Sequence, residues 1–220
     1  MRFVYLHGFA SSPASRKAVA FQKALAAHGI SLELPALDGG DFQHLTTASQ
    51  LEIVTRLLAG QPACLIGSSM GGYIAALYAS MHPEIARVVL MAPAFAFAER
   101  WDHLAGPEKL ASWRRSGYLE VFHYGEGRAN RVHYALYEEA LGLPRFPPVA
   151  QPVQIFHGIH DDVVPVELSR EYAANKPNVF LSELDSGHEL LNVLDSILHT
   201  AVPFLISTAS DPIVSTHTDL

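Results

Sequence analysis

The sequence predicts an α/β protein built around a parallel sheet with helices on both faces. Short apolar segments of strand length alternate with amphipathic segments of helix length along most of the chain. Strands that are apolar throughout and separated by helices are typical of a parallel sheet buried on both sides. The chain has 220 residues, 49% of them apolar, and a domain of this size buries roughly 70% of its unfolded surface. One large core is therefore expected.

Six strands are predicted as short apolar segments, near residues 2–6, 30–34, 63–67, 86–91, 153–157 and 178–184. Helices are predicted between and after them, near residues 15–28, 46–59, 70–81, 165–175 and 189–206. Residues 95–150 interrupt the alternation because they contain no clear strand, and helices are predicted there over 107–115 and 128–141. We expect residues 1–206 to form a single domain and residues 207–220, which are polar and aperiodic, to form a flexible tail.

The composition argues against several classes of partner. A formal net charge of −7 argues against nonspecific binding to nucleic acid or to an anionic membrane, since both need a basic surface. No apolar run reaches the roughly 20 residues needed to span a bilayer, and the first residues lack the pattern of a signal peptide. The single cysteine, Cys64, lies in a predicted strand and is expected to be a small buried hydrophobe. These features favour a cytoplasmic protein.

The stretch Gly67-Ser68-Ser69-Met70-Gly71 fits the pattern G-x-S-x-G. An apolar strand precedes it and a good helix former follows, so the motif falls on a sharp turn between the two. Such a turn presents the central serine above the edge of a sheet, and its crowded backbone needs small residues on either side. Glycine and serine are common in turns, so the pattern alone is weak evidence. The strand and the helix around it lead us to predict Ser69 as a catalytic nucleophile.

Two later loops supply the partners that a nucleophilic serine requires. Asp161 follows the predicted strand at 153–157, where a carboxylate is well placed to orient a histidine. His188 follows the last predicted strand and precedes a helical segment. The gap between Ser69 and Asp161 leaves room for an inserted segment, and the next gap leaves room for one helix and one strand. The chain order is therefore serine, aspartate, histidine.

The chain resembles the α/β-hydrolase superfamily of serine esterases from residue 2 to about residue 206, and its triad follows that superfamily's chain order. The opening YLHGFASSP, from Tyr5 to Pro13, resembles more closely a group of short bacterial esterases. Four motifs carry the resemblance to the superfamily: Leu6-His7-Gly8-Phe9, Gly67-Ser68-Ser69-Met70-Gly71-Gly72, His157-Gly158-Ile159-His160-Asp161 and Ser186-Gly187-His188.

This resemblance implies an α/β-hydrolase fold with a reduced parallel sheet of about six strands and a small helical lid formed by residues 95–150. It also implies that the catalytic acid lies four residues after His157, at Asp161, with the neighbouring Asp162 as the alternative. A lid of this kind excludes water and supplies apolar walls for an acyl or alcohol group. We predict Trp101, Trp113 and Tyr118 as substrate-binding residues. The alternative is that these aromatic side chains only anchor the lid to the body.

The chemistry of such a site can be assigned residue by residue. A serine hydroxyl needs a base at hydrogen-bond distance, so His188 would take the proton of Ser69 and pass it to the leaving group. Asp161 would hold the imidazole tautomer and stabilise the imidazolium. The oxyanion needs two N–H donors, for which we predict the backbone N–H of Met70 and that of Phe9 in the loop after the first strand.

The function predicted from the sequence is a serine hydrolase, a carboxylesterase or thioesterase, that cleaves small to medium acyl esters or thioesters through an acyl-enzyme. The same triad could instead serve carbon–carbon hydrolysis, a lyase step or perhydrolysis, and a binding protein on a hydrolase scaffold is a further alternative. His160 beside Asp161 could suggest a metal site, but no third ligand is placed to complete it. We expect no metal and no cofactor, and a small-molecule substrate as the partner. The sequence leaves the oligomeric state open.

Overall fold

The central sheet has six parallel strands with helices on both faces, as predicted. The computed structural model describes residues 1–207, except for the side chains at positions 103 and 104. The strands in this part of the chain are β1 Arg2–Leu6, β2 Leu32–Glu33, β3 Ala63–Ser68, β4 Ile85–Met91, β5 Tyr118–His123, β6 Arg128–His133, β7 Val153–Gly158 and β8 Val179–Leu184. Strands β5 and β6 form a separate antiparallel hairpin, and the other six pair in the order β2-β1-β3-β4-β7-β8.

The helices lie between these strands. They are α1 Arg16–Ala26, α2 Thr47–Leu58, α3 Met70–Met81, α4 Phe97–Ser116, α5 Ala135–Ala140, α6 Val166–Ala173 and α7 Leu194–Ile206. Side chains fix where α2 begins: the Thr46 hydroxyl accepts the Ser49 N–H at 3.0 Å, and the Ser49 hydroxyl accepts the Thr46 N–H at 3.0 Å. Helix α7 starts later than predicted, because a short 3₁₀ turn at Leu191–Val193 precedes it.

Side chains along β1 and β3 alternate between two cores, one on each face of the sheet. Val4 and Leu65 lie in the core shared with α2, α3 and α6. Tyr5 and Ile66 lie in the core shared with α1 and α7. Cys64 lies in this second core and is 1% exposed, as predicted, and burial raises the pKa of its thiol to about 11. The thiol is therefore inert at neutral pH.

The segment inserted between β4 and β7 differs from the prediction. Residues 128–141 were expected to be one helix, but β6 occupies Arg128–His133 and only α5, Ala135–Ala140, is helical. The expectation that 95–150 contains no strand is also wrong, since β5 and β6 pair from Tyr118↔His133 to His123↔Arg128. The predicted helix at 107–115 lies within α4, which kinks at Gly106 (φ 72°) just before Pro107.

The insertion packs against the carboxyl end of the sheet through a third apolar cluster. Trp113 from α4 and Val132 from β6 lie in this cluster with Ala10 from the loop after β1 and Met70, the first residue of α3. The inserted segment is thus held against the loop after β1 and the start of α3.

No helix within residues 1–207 combines the length and apolarity needed to cross a membrane. The predicted tail at 207–220 lies outside the described residues from position 208 onward.

Candidate active site

Ser69 occupies a strained turn between β3 and α3. Its backbone has φ 54° and ψ −118°, in the left-handed region that non-glycine residues rarely adopt. Two glycines make the turn possible. A Cβ at Gly67 would lie 2.4 Å from the Gly71 carbonyl oxygen, and one at Gly71 would lie 2.1 Å from the Leu6 carbonyl oxygen. The pattern G-x-S-x-G thus reflects close backbone contacts on both sides of the serine.

The fold brings the three predicted triad residues together at the carboxyl end of the sheet. Ser69 follows β3, Asp161 follows β7 and His188 follows β8, and parallel strands end at a common edge. Nε2 of His188 lies 3.1 Å from Oγ of Ser69, and Nδ1 of His188 lies 2.8 Å from Oδ2 of Asp161. One ring therefore bridges a hydroxyl and a carboxylate, which is the geometry that general-base activation of a serine requires.

The carboxylate of Asp161 is fully buried. Its Oδ1 accepts the backbone N–H groups of Val163 at 2.9 Å and Val164 at 2.7 Å. Desolvation by burial raises the pKa of Asp161, but hydrogen bonds from His157 and His188 outweigh it, and the net pKa lies well below the ordinary 3.8. Asp161 is therefore ionised at neutral pH.

The loop after β1 lies directly against Ser69. A Cβ at Gly8 would lie 3.4 Å from Cβ of Ser69. The Ser11 N–H donates to the Gly8 carbonyl at 3.3 Å, and Ala10 has φ 52°, so the loop is a tight turn. Within residues 1–207, neither the N–H of Phe9 nor that of Met70 donates to a protein acceptor. These are the two donors predicted for an oxyanion hole.

His7 holds this loop in place. Its Nε2 accepts the Leu37 N–H at 3.1 Å, so its other nitrogen, Nδ1, carries the proton and donates to the Gly8 carbonyl at 3.0 Å. Burial lowers the pKa of His7, which agrees with a neutral ring. These two contacts tie the loop after β1 to the segment at Leu37.

A small cavity borders the same loop on the side of Leu37 and His123. The centre of a water molecule can occupy about 10 Å³ of this cavity. The cavity therefore holds about one water. Nδ1 of His123 accepts the Glu126 N–H at 3.1 Å, and its buried Nε2 has no hydrogen-bond partner among the described residues. The cavity fits one small polar group and is too small for an acyl chain.

The three predicted substrate-binding residues occupy different environments. Trp101 is half-buried and its ring lies 6.0 Å from that of Phe9, so it borders the candidate oxyanion loop. Trp113 is 1% exposed and donates its indole N–H to the Val132 carbonyl at 3.0 Å. It is a core residue of the insertion, which corrects the prediction that it binds substrate. The Tyr118 hydroxyl contacts Nε2 of His44 at 3.1 Å.

Asp162 and His160 lie close to the triad in sequence, but their side chains are exposed and take no part in it. Asp162 has an exposed side chain, and the hydrogen bond to His188 comes from Asp161 instead. His160 pairs with Asp185 at 2.9 Å, and both side chains are largely exposed. His157 entered the sequence analysis only as the first residue of a motif, yet it contacts Asp161 at 3.1 Å. Sequence spacing carries no signal for that contact.

Solved structures share this architecture at low sequence identity. Alpha/beta hydrolase domain-containing protein 10 from mouse matches with a TM-score of 0.77 and 22% identity, over 92% of this chain and 88% of that one. Est1E from Butyrivibrio proteoclasticus, solved with ferulic acid, matches with 0.76 and 21%, over 92% and 87%. A monoacylglycerol lipase from Paleococcus ferrophilus matches with 0.72 and 18%, over 92% and 93%. The chain has the α/β-hydrolase fold.

Within this fold, the chain belongs to the Uncharacterised protein family (UPF0227), whose model matches residues 2–205. A search of curated proteins gave no match. The finer likeness of the segment from Tyr5 to Pro13 to short bacterial esterases is not tested by these comparisons and stays a prediction.

Proposed function

We propose that this protein is a serine hydrolase, a carboxylesterase or thioesterase, that cleaves small to medium acyl esters or thioesters through an acyl-enzyme. The observation that carries the proposal is the continuous hydrogen-bonded line from Ser69 Oγ through His188 to Asp161, with distances of 3.1 and 2.8 Å. A binding protein would not need a base aligned on a strained serine.

In the proposed acylation step, Oγ of Ser69 attacks the carbonyl carbon of the substrate while Nε2 of His188 takes the hydroxyl proton. The imidazolium that forms is stabilised by the buried carboxylate of Asp161. The carbonyl oxygen becomes an oxyanion, which the N–H groups of Phe9 and Met70 stabilise. His188 then gives its proton to the leaving alcohol or thiol as the bond from the acyl carbon to that group breaks.

In the proposed deacylation step, water attacks the acyl carbon of the ester on Ser69. His188 takes a proton from this water and returns it to Oγ of Ser69 as the acyl–serine bond breaks. The products are a carboxylic acid and the regenerated enzyme. Every step uses side chains and backbone groups of this chain, and we expect no cofactor.

We propose that the insertion at 95–150 is a lid on a single domain spanning residues 1–206. Its apolar cluster includes Met70, one of the two candidate oxyanion donors, and Ala10, which follows the other donor, Phe9. Trp101 lies against Phe9, so it remains our candidate for contact with the substrate. The expected location is the cytoplasm, and the expected partner is a small molecule.

The names of two structural neighbours agree with an ester as the substrate class. One is solved with ferulic acid, and another is named as a monoacylglycerol lipase. At 18–22% identity these likenesses carry the fold, so the substrate class of this chain rests on its own site geometry.

Hydrolysis of p-nitrophenyl acetate and p-nitrophenyl butyrate tests the proposal. We expect the natural protein to release p-nitrophenol, and Ser69→Ala to lower turnover by about 10⁴-fold or more. The matched control is Ser68→Ala, one residue earlier at the end of β3, whose turnover should stay within about threefold of that of the natural protein. Hydrolysis that survives in Ser69→Ala would show that Ser69 is not the nucleophile.

A further inference from the structure

His157 is a buried histidine at the end of β7 that takes no part in the proton transfers proposed above. Its side chain is 0% exposed, so both ring nitrogens need hydrogen-bond partners within the protein. Nδ1 lies 2.7 Å from the hydroxyl oxygen of Ser169 on α6. Nε2 lies 2.8 Å from the backbone oxygen of Val164 and 3.1 Å from Oδ2 of Asp161. Both nitrogens therefore have partners.

The identity of these partners fixes the tautomer of the ring. A backbone carbonyl and an ionised carboxylate can only accept hydrogen bonds, so Nε2 must carry a proton. In the neutral ring, Nδ1 then accepts a hydrogen bond from the hydroxyl of Ser169. The N–H of Nε2 is shared between Val164 and Asp161, which makes His157 a donor to the carboxylate of the candidate triad.

His157 holds this carboxylate in two ways. The direct contact is to Oδ2, the oxygen that also accepts the N–H of His188 at 2.8 Å. The indirect contact runs through Val164: its carbonyl accepts from His157, and its N–H donates to Oδ1 of Asp161 at 2.7 Å. A single ring thus ties the end of β7 to both oxygens of Asp161.

We propose that His157 is a positioning residue that keeps Asp161 ionised and aligned with His188 while the imidazolium forms. This inference rests on the proposed function, because the charge on His188 that it addresses develops during the proposed acylation and deacylation steps. A carboxylate already oriented by fixed donors needs no rearrangement when that charge develops, and such preorganisation lowers the barrier. Within residues 1–207, the polar partners of the His157 ring are Ser169, Val164 and Asp161, and none of them belongs to the turn at Ser69 or to the oxyanion loop. His157 acts on the transition state and leaves substrate binding unchanged.

A pair of isosteric variants tests the donor. His157→Gln places an amide nitrogen with two N–H groups near the position of Nε2, so it can serve both Asp161 and Val164. His157→Met has a similar length and shape but no donor. We expect the methionine variant to lose about 10-fold to 100-fold in kcat with KM within about twofold. The glutamine variant should recover most of that loss.

The control is His160→Gln, which changes an exposed histidine three residues later, in the loop after β7 and outside this network. It should leave kcat and KM unchanged. Equal kcat for His157→Gln and His157→Met would overturn the proposal, because it would reduce the role of His157 to packing. So would a methionine variant that keeps full kcat.

The tautomer can also be measured in the natural protein, without any variant that could fail to fold. Two-bond ¹⁵N–¹H correlation spectra of the histidine rings should show His157 protonated on Nε2 and unprotonated on Nδ1. The opposite tautomer would overturn the proposal, since it leaves Asp161 without this donor. If the natural protein hydrolyses no ester while the tautomer is as expected, the proposed function fails and the structural assignment of His157 stands.

Discussion

Asp161 is the side chain on which the hydrogen bonds of the candidate site converge. It accepts two backbone N–H groups on Oδ1, and on Oδ2 it meets the rings of His188 and His157. The sequence left Asp162 as an alternative, because adjacent carboxylates in a loop have nearly the same spacing from the other triad residues. Only the backbone path of the loop separates a buried side chain from an exposed one.

The first prediction at this scale compares the two aspartates. In Asp161→Asn the amide oxygen would face the N–H groups of Val163 and Val164, which leaves the amide NH₂ facing His188. The imidazole would then favour the tautomer with a proton on Nε2, which cannot accept the serine proton. We expect turnover to fall about 10²-fold to 10⁴-fold. Asp162→Asn should be nearly unchanged in an ester assay, and the reverse ranking would move the acid to position 162.

A second prediction concerns acid stability. The pKa of Asp161 is lower in the folded protein than its ordinary 3.8, so ionised Asp161 favours the folded state above that value. The contribution is lost as pH falls through the folded pKa. Urea unfolding gives the free energy of unfolding of the natural protein and of Asp161→Asn. The amount by which the natural protein exceeds the variant should decrease as pH falls from about 5 to about 2. A difference that is constant across this range would contradict the lowered pKa.

At the scale of elements, the turn after β3 follows from sequence because its demands are local. Positions 67 and 71 require glycine, because a Cβ added at either position would lie less than 2.5 Å from a backbone oxygen. Small residues at these positions of the sequence therefore indicate the close backbone contacts. The same local pattern places Phe9 and Met70, since Phe9 lies in the turn from Gly8 to Ser11 and Met70 directly follows Ser69.

The β5–β6 hairpin was missed because its second strand does not alternate. Arg128–His133 reads Arg-Ala-Asn-Arg-Val-His, mostly polar and exposed, so no apolar period of two marks it. A signal was present in the first strand: Tyr118–His123 is rich in aromatic and β-branched residues and lies between glycines at 117 and 127 with φ of 78° and 67°. Trp113 then becomes a core residue, because the hairpin covers it.

The prediction at this scale tests the turn through Gly71→Ala. The added methyl group would lie 2.1 Å from the Leu6 carbonyl oxygen and 2.4 Å from that of His7, both backbone atoms. Either β1 or α3 must move, so we expect a loss of more than about 3 kcal/mol in unfolding free energy. The control is Gly142→Ala, where the nearest atom is at 3.6 Å, and its change should stay within about 0.5 kcal/mol. Equal unfolding midpoints for the two variants would contradict the crowded turn.

At the scale of the whole molecule, topology assembles the site. Phe9, Ser69, Asp161 and His188 follow strands β1, β3, β7 and β8, which all point the same way in one sheet. The G-x-S-x-G motif, the positions of Asp161 and His188 after predicted strands and the resemblance to the superfamily together predicted this arrangement. His157 was not recognised as part of it, because its contacts come from α6 and the loop before it. Such contacts depend on packing angles that residue spacing does not encode.

The most direct test of a nucleophilic serine at this site is covalent labelling followed by peptide mapping. A fluorophosphonate probe should add once to the natural protein, with the label on Ser69, because the ring of His188 lies within hydrogen-bond distance of this hydroxyl and can take its proton. Ser69→Ala should remain unlabelled, and Ser68→Ala should label like the natural protein. A label found on another serine, or no label on a folded natural protein, would contradict the proposed mechanism.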